Sequence, residues 1–339
     1  MHSEQIEATT KKAWAYSSVN GGVEKNLKLI DRHIPTWVSK PLKGKYAIEV
    51  LASSLNPVDY KLPISPIESR IARIPKPASP GLDFCGRIVA QPERVVFGRL
   101  PWPVQYGTLG PYVLATENDF VDLPEKISVE VGAAVPIAAL TAYQSIVPFV
   151  QPGQRVVIVG GSGGVGTFGI QIAKLMGAYV VAVCSGRNEE LCRQLGADQT
   201  VDYTKTDIVD SLANMTAFDL IVDNVGNDPT LHRRSQAFLN PTARFVLVSA
   251  MLTTAQGVLS MLESLCRPAW LGGPIHRYKI VLCQSNKAQL QQIARWIADG
   301  SVKVIIDQVF SFDEAPQAMG RLMAGRARGK IVVKGPASL

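Results

Sequence analysis

Histidine is scarce in this 339-residue chain, with four in all, and cysteine is hardly commoner, with five. The cysteines (Cys85, Cys184, Cys192, Cys266 and Cys283) are odd in number and scattered, and no two form a CxxC pair. That pattern argues against a disulfide framework and against a structural zinc site, and leaves most of them as small apolar core residues. None of His2, His33, His232 and His276 falls in a metal-ligand motif, so each reads as a surface or hydrogen-bonded histidine. No uncharged apolar run reaches the ~18 residues a spanning helix needs. The first ten residues lack the apolar core of a secretory leader and the Arg-rich look of a transit peptide, so a cytoplasmic setting is expected. The net charge is +7, but the cations are spread along the chain, with the densest group at Arg321, Arg326, Arg328 and Lys330. No aromatic-interleaved motif accompanies them, so no nucleic-acid partner is expected.

Apolar residues make up 47% and charged residues 19% of the chain, the balance of a packed globular protein. Single cores stop growing near roughly 250–300 residues, so two domains are expected. Up to about Pro124 the chain reads as short strands and turns. Tyr46–Ser53 and Gly86–Ala90 are strand-like, and prolines at 57, 63, 66, 75, 77 and 80 exclude long helices. Val129–Val147 is Ala-rich and helical in character. Beyond it, continuous apolar runs at Arg155–Val159, Tyr179–Val183, Leu220–Val222 and Phe245–Val248 alternate with helical segments at Gly166–Met176, Glu189–Leu195 and Leu231–Phe238. Such runs suit strands buried on both faces, and the alternation predicts βαβ units in a doubly wound parallel sheet. Met251–Cys266 is an amphipathic stretch read mainly as packing, with a lid, a partner surface or a membrane-facing face as alternatives. Tyr278–Cys283 reads as a strand that closes the sheet or pairs with a second subunit, and Lys287–Asp299 as a helix. Strand signals at Val304–Phe310 and Lys330–Lys334 suggest that the tail returns to the first domain.

The strongest local signal is Val159–Gly166, VGGSGGVG, in which Gly161, Gly163 and Gly166 fit G-x-G-x-x-G between a strand and a helix. Gly161 is expected to permit the tight turn, Gly163 to let backbone approach a pyrophosphate, and Gly166 to let the helix pack on the strand, with Ser162, Gly164 and Val165 completing the cradle. An NAD site usually carries Asp or Glu at the end of the second strand. Here that strand runs into Cys184-Ser185-Gly186-Arg187, with no acid. Ser185 and Arg187 suit a 2′-phosphate instead, so NADPH is the expected cofactor.

With these segments in place the sequence resembles the zinc-independent branch of the medium-chain dehydrogenase/reductase superfamily, the quinone oxidoreductases and trans-acting enoyl reductases. The resemblance covers nearly the whole chain. Besides the glycine turn it rests on Asn56–Asp59 (NPVD), Gly81–Gly86 (GLDFCG), Ala138–Gln144 (AALTAYQ), Ala173–Ala178 (AKLMGA), Leu195–Asp198 (LGAD) with Asp202 and Tyr203, and Gly329–Val332 (GKIV). It implies an α/β protein: a GroES-like β-rich catalytic domain, residues 1–127 completed by 286–339, and a Rossmann domain with a doubly wound parallel sheet, residues 128–285. It implies Ser185, Arg187 and Tyr203 at the adenosine 2′-phosphate, Thr141 and Ser249 near the ribose and nicotinamide, and Lys330 contacting cofactor from the tail. Zinc-dependent cousins carry Cys in the position of Asn56, Gly-His-Glu in that of Gly81–Asp83, and a four-cysteine lobe; all three are missing here. Where the family has a longer loop, this chain has only Gln91–Arg94, read as a trimmed surface turn.

The activity this implies is NADPH-dependent hydride transfer to an activated C=C bond of an enoyl thioester, enone or alkenal. A metal-free site needs a donor for the developing enolate and a proton source. Lys61 is the first candidate donor or relay, Tyr60 the second, and Asn56 would orient substrate or ribose; Asp59 would hold Lys61 or cap a helix. The substrate is a free small molecule or carrier-bound, which brings a polyketide-type synthase into view as partner, and the chain is expected as a monomer or homodimer. Quinone reduction is the alternative activity, and a non-catalytic NADPH-binding sensor or structural protein is the alternative of another class.

Overall fold

The computed structural model describes residues 10–40, 42–226, 229–248 and 276–336. A hairpin of β1 (Thr10–Ala15) and β2 (Lys28–His33) leads into a mostly antiparallel sheet. Its strands are β3 (Lys45–Leu55), β4 (Asp83–Ile88), β5 (Gln91–Arg99), β6 (Tyr112–Thr116) and β7 (Phe120–Asp122). β3 pairs antiparallel with both β4 and β6. The prolines keep the intervening helix, Pro57–Ile64, to eight residues. Gln91–Arg94 opens β5, and only Val89 and Ala90 connect β4 to β5, with Ile88 paired to Gln91. The missing loop has become a two-residue hairpin connection with a register shift beside it.

The second sheet is parallel throughout: β8 (Arg155–Val159), β9 (Tyr179–Cys184), β10 (Gln199–Asp202), β11 (Phe218–Asp223), β12 (Leu239–Val248) and β13 (Arg277–Val281). In space they stand as β10-β9-β8-β11-β12-β13, the dinucleotide-binding order of P-loop-free Rossmann sheets, third-second-first-fourth-fifth-sixth. Val156, Val157 and Ile158 are wholly buried, as their unbroken apolar run predicts for a strand covered on both faces. The helical stretch after Ser128 is split: Ser128 caps Val129–Ala133 through its side chain, and Pro136 starts a separate helix, Pro136–Ile146. Leu231–Phe238 shortens to a helix at Pro229–Arg233 and a single turn at Ser235–Ala237. The strand expected at Tyr278–Cys283 is β13, parallel to β12. The stretch Met251–Cys266 lies outside the described residues.

The tail returns to the first sheet. β14 (Ile306–Phe310) pairs in parallel with β15 (Lys330–Lys334), and β15 lies antiparallel to β3. A single apolar core joins the lobes: Ala52, Cys85, Phe97 and Val332 of the first sheet pack with Val135, Ile158 and Val246. The mixed α/β architecture, a largely antiparallel sheet beside a doubly wound parallel one, matches the GroES-like and Rossmann pair that the resemblance implies.

Two histidines depart from expectation. His232 and His276 are 3% and 5% exposed, and neither ring nitrogen of either has a hydrogen-bond partner among the described residues. His232 instead stacks 4.6 Å from Phe245 and 4.3 Å from Tyr278, ring centre to ring centre. Burial, then the nearby His276, lowers its pKa to about 4. An unfolded histidine titrates near about 6.5. The unfolded chain therefore binds the extra proton first, and the stability His232 contributes is complete above about 6.5 and is lost as pH falls toward 4. Relative to His232→Leu, which cannot titrate, the wild type should lose on the order of 3 kcal/mol between neutral pH and pH 4 in parallel melts. A stability difference that stays constant with pH would contradict this.

Candidate active site

The glycine turn forms as expected, with one change of role. The left-handed residue is Gly160, at φ +72, rather than Gly161. Gly161 is confined instead by packing: a Cβ there would stand 3.0 Å from that of Ala182. At Gly166 a Cβ would press on the carbonyl oxygen of Gly160 and come within 2.7 Å of Gly161 Cα, so only glycine lets the helix sit this close to β8. At Gly163 the nearest atom would be 3.4 Å away, which leaves room over the backbone for a phosphate. Gly163 caps the helix Gly164–Leu175 without a side chain, so the helix offers unpaired N–H groups and its positive end to an anion. Ser162, Gly164 and Val165 line this turn, half-exposed. The residues fit a dinucleotide.

Past β9 the chain makes a short turn at Gly186–Asn188. Asn188, buried and unnoticed in the sequence, donates to Ser162 Oγ at 2.9 Å and Ser185 Oγ at 3.1 Å, tying the glycine turn to the end of β9. Arg187 and Tyr203 are exposed beside it, and Arg328 of the returning tail donates to the Arg187 carbonyl at 3.2 Å. An acid does come near: Asp202, paired across the sheet with Cys184, adjoins Gly186. It is occupied by the Thr204 hydroxyl at 2.6 Å and by Lys205 at 3.4 Å. Ser249 lies outside the described residues.

The other half of the site begins at Asn56, the last residue before the helix Pro57–Ile64. Asp59 closes a capping box, accepting the Asn56 N–H at 2.7 Å, so of its two expected roles it fills the cap. Burial pushes the Asp59 carboxyl up to about 7, against the pull of that hydrogen bond. Tyr60 packs on the apolar cluster of Leu55, Met319 and Ile331, and burial raises its phenol. Lys61 is half-buried, and burial lowers its pKa while Glu68 opposes that shift.

Lys330 is the joint between the halves. Only 4% of it is exposed, and its stem lies where a side chain on Gly164 would be, 2.9 Å from such a Cβ. Next to it Gly329 donates to the Ser162 carbonyl at 2.9 Å. The ammonium does not reach outward but donates to Asn56 Oδ1 at 2.6 Å and the Leu55 carbonyl at 3.0 Å, and stands 3.6 Å from Asp83. Asp83, part of the Gly81–Gly86 motif but given no role by the sequence, is wholly buried. It accepts Asn56 Nδ2 at 2.8 Å and the Ile137 N–H at 3.0 Å. Thr141, one turn on, donates to the Ile137 carbonyl at 2.6 Å. Arg99, opposite Asp83 across β4 and β5, was also missed; it is 5% exposed and donates to the Cys283 carbonyl at 3.0 Å. Burial drives the Asp83 carboxyl up and the Lys330 ammonium down, each opposed by the other's charge.

A family model described as zinc-binding dehydrogenase matches residues 195–333. The chain is 40% identical to a trans-enoyl reductase, pgmF, of Aspergillus terreus over 96% of each chain. It is 34% identical to a zinc-type alcohol dehydrogenase-like protein of Schizosaccharomyces pombe, over 98% of this chain and 99% of that one. Among solved structures, the quinone oxidoreductase from Coxiella burnetii superposes with a TM-score of 0.83 at 28% identity, covering 96% of this chain and 99% of that one. The CurK enoyl reductase shares the fold, at TM-score 0.79 and 22% identity over 96% and 99%. Zinc does not fit the residues at this site. Among the described residues no three His, Cys, Asp or Glu side chains come together as a ligand set. The space between Asn56 and Asp83 is taken by an ammonium, which would repel a second cation.

Proposed function

Because the chain belongs to the medium-chain dehydrogenase/reductase superfamily, in its enoyl reductase and quinone oxidoreductase branch, we propose that this oxidoreductase is a zinc-independent NADPH-dependent enoyl reductase. Its acceptor is an activated C=C bond, in an enoyl thioester, enone or alkenal. The observation that carries this reading is the meeting of the glycine turn with the Asn56 segment through Gly329 and Lys330, which sets the turn against a polar cluster. Bound NADPH supplies the hydride; the chain binds, orients and protonates.

Ser185, Arg187 and Tyr203 take the 2′-phosphate, with Asn188 fixing Ser185. Gly161–Gly166 hold the pyrophosphate. Thr141 borders the ribose and nicotinamide, and Ser249 keeps the role the resemblance implies. Asn56 Nδ2 donates to the Ser54 carbonyl and to Asp83, and Oδ1 accepts from Lys330, so Asn56 orients by rigidity rather than by donating to substrate. Lys61 donates to the substrate carbonyl and relays the proton; its lowered pKa makes it a readier acid at neutral pH. Tyr60 is second, since its ring is committed to packing. Residues 1–127 with 286–339 form the catalytic domain and 128–285 the cofactor domain. The setting is cytoplasmic, the chain a monomer or a homodimer, and a polyketide-type synthase presents the substrate. The last point is supported by the trans-enoyl reductase relative. Among the described residues no helix is long and apolar enough to cross a membrane.

The test is oxidation of NADPH, followed by its absorbance, against an enoyl thioester, a 2-alkenal and a quinone, and again with NADH. Turnover of the alkene acceptors with NADPH is expected. Turnover of the quinone alone would move the activity to quinone reduction, which the Coxiella burnetii neighbour favours as second reading. Arg187→Ala should raise the Kd for NADPH about 10- to 100-fold, the worth of one charged hydrogen bond, and leave NADH unchanged. An equal effect on both cofactors would remove Arg187 from the 2′-phosphate.

A further inference from the structure

Three elements of different origin converge on one carboxylate. Asp83 of β4 receives the Asn56 amide from the end of β3 and the Ile137 N–H from the helix that carries Thr141, and it pairs with the ammonium of Lys330 from β15. Lys330 in turn lies over Gly164, and its neighbour Gly329 is bonded to Ser162. The carboxylate is therefore linked by no more than two contacts to the phosphate cradle, to Thr141 and to Asn56. A buried carboxylate and ammonium cost several kcal/mol each to desolvate, and an apolar pair of the same volume often folds as well or better. Stability alone gives little reason for this pair in the middle of the site.

We propose that Asp83 is the positioning residue of this site: it holds Lys330, Asn56 and the Thr141 helix in one arrangement, so that the nicotinamide end of the cofactor is seated in a single orientation. Asp83 touches neither cofactor phosphates nor substrate; it acts through Lys330 and Asn56. The inference rests on the proposed cofactor reading of the glycine turn, but its readout does not need an acceptor.

Two variants are compared with the wild type. Asp83→Asn keeps the shape and removes the charge. Asp83→Asn/Lys330→Met removes both charges and answers the case in which the single variant fails to fold. NADPH is titrated while the emission and anisotropy of its nicotinamide are recorded, with a melt in parallel. For Asp83→Asn the Kd for NADPH should stay within a few-fold, because Asp83 reaches the glycine turn only through Lys330; the double variant, which also alters the stem packed on Gly164, is read by its nicotinamide emission and kcat. The nicotinamide emission should change toward that of a mobile ring in both variants. With an alkene acceptor, kcat should fall at least ten-fold while KM for NADPH holds. A double variant that folds and keeps wild-type nicotinamide emission and kcat would overturn the proposal and make the pair structural only. Wild-type protein that binds no NADPH would overturn the cofactor reading and the proposal with it. Wild-type protein that binds NADPH but reduces no acceptor would overturn the enoyl reductase reading alone, and the emission comparison would still decide the role of Asp83.

Discussion

Gly166→Ala is expected to cost the protein its cofactor. The added methyl would meet the carbonyl oxygen of Gly160 and stand 2.7 Å from Gly161 Cα. Both are backbone atoms of the turn that is to hold the pyrophosphate, so no flexible side chain can yield. Gly160 is already in the left-handed region, which leaves the turn few other conformations. Either the helix Gly164–Leu175 moves away from β8 or the turn opens, and each withdraws the helix N-terminus from the phosphates. Overpacking of this kind costs about 1–3 kcal/mol in stability. The effect on binding is larger, since several backbone N–H groups are displaced together, and the Kd for NADPH should rise more than about 100-fold, some 3 kcal/mol. Titration by nicotinamide fluorescence reads this directly, with a melt to separate misfolding from lost binding. An alanine variant that binds NADPH as the wild type does would mean that the cofactor lies elsewhere.

Lys61→Met carries the second large effect, on the chemistry rather than on binding. Hydride addition to the β-carbon places negative charge on the carbonyl oxygen, and a proton must then reach the α-carbon. A positioned acid in such a step is worth about 10²–10⁴-fold in rate. Methionine keeps the length of the stem and its half-buried packing while removing the donor. With an enoyl thioester, kcat should fall at least about 100-fold, with the Kd for NADPH little changed. With a quinone the fall should be clearly smaller, because only the donor to the oxygen is lost and no proton has to reach carbon. A kcat on the thioester within a few-fold of wild type would remove Lys61 from the chemistry and pass the role to Tyr60, for which Tyr60→Phe is the matching test.

The parts of this account that the sequence discloses are those whose meaning is local. A run such as Val156–Ile158 between glycines is a buried strand wherever it stands, and the glycine turn carries its geometry within eight residues. The split at Pro136 and the hairpin at Val89 and Ala90 follow equally local rules, turn chemistry and proline, but the eye is drawn past them by the Ala-rich run and by the expectation of a loop. The roles of Asp83, which a motif contains, and of Arg99, which none does, were hidden for another reason. Their neighbours in sequence are apolar strand residues, and their partners, Lys330, Ile137 and Cys283, come from distant segments that only the folded chain brings near. Lys330 shows both sides. Its place beside the glycine turn agrees with what the resemblance implies, yet the direction of its ammonium, inward to Asn56 and Asp83, is decided by packing of the tail against β3. The two buried histidines are likewise a product of tertiary packing, their surroundings supplied by Phe245 and Tyr278 of neighbouring strands.

The central claim is hydride transfer from NADPH to carbon, and the most direct measurement is a labelled turnover. The protein is incubated with an enoyl thioester and NADPH deuterated at the transferring position of nicotinamide C4, and the product is analysed by mass spectrometry and NMR. The account expects the saturated thioester with one deuterium, at the β-carbon, and an unlabelled proton at the α-carbon. Saturated product without deuterium at the β-carbon, or no saturated product while a quinone is reduced, would contradict it.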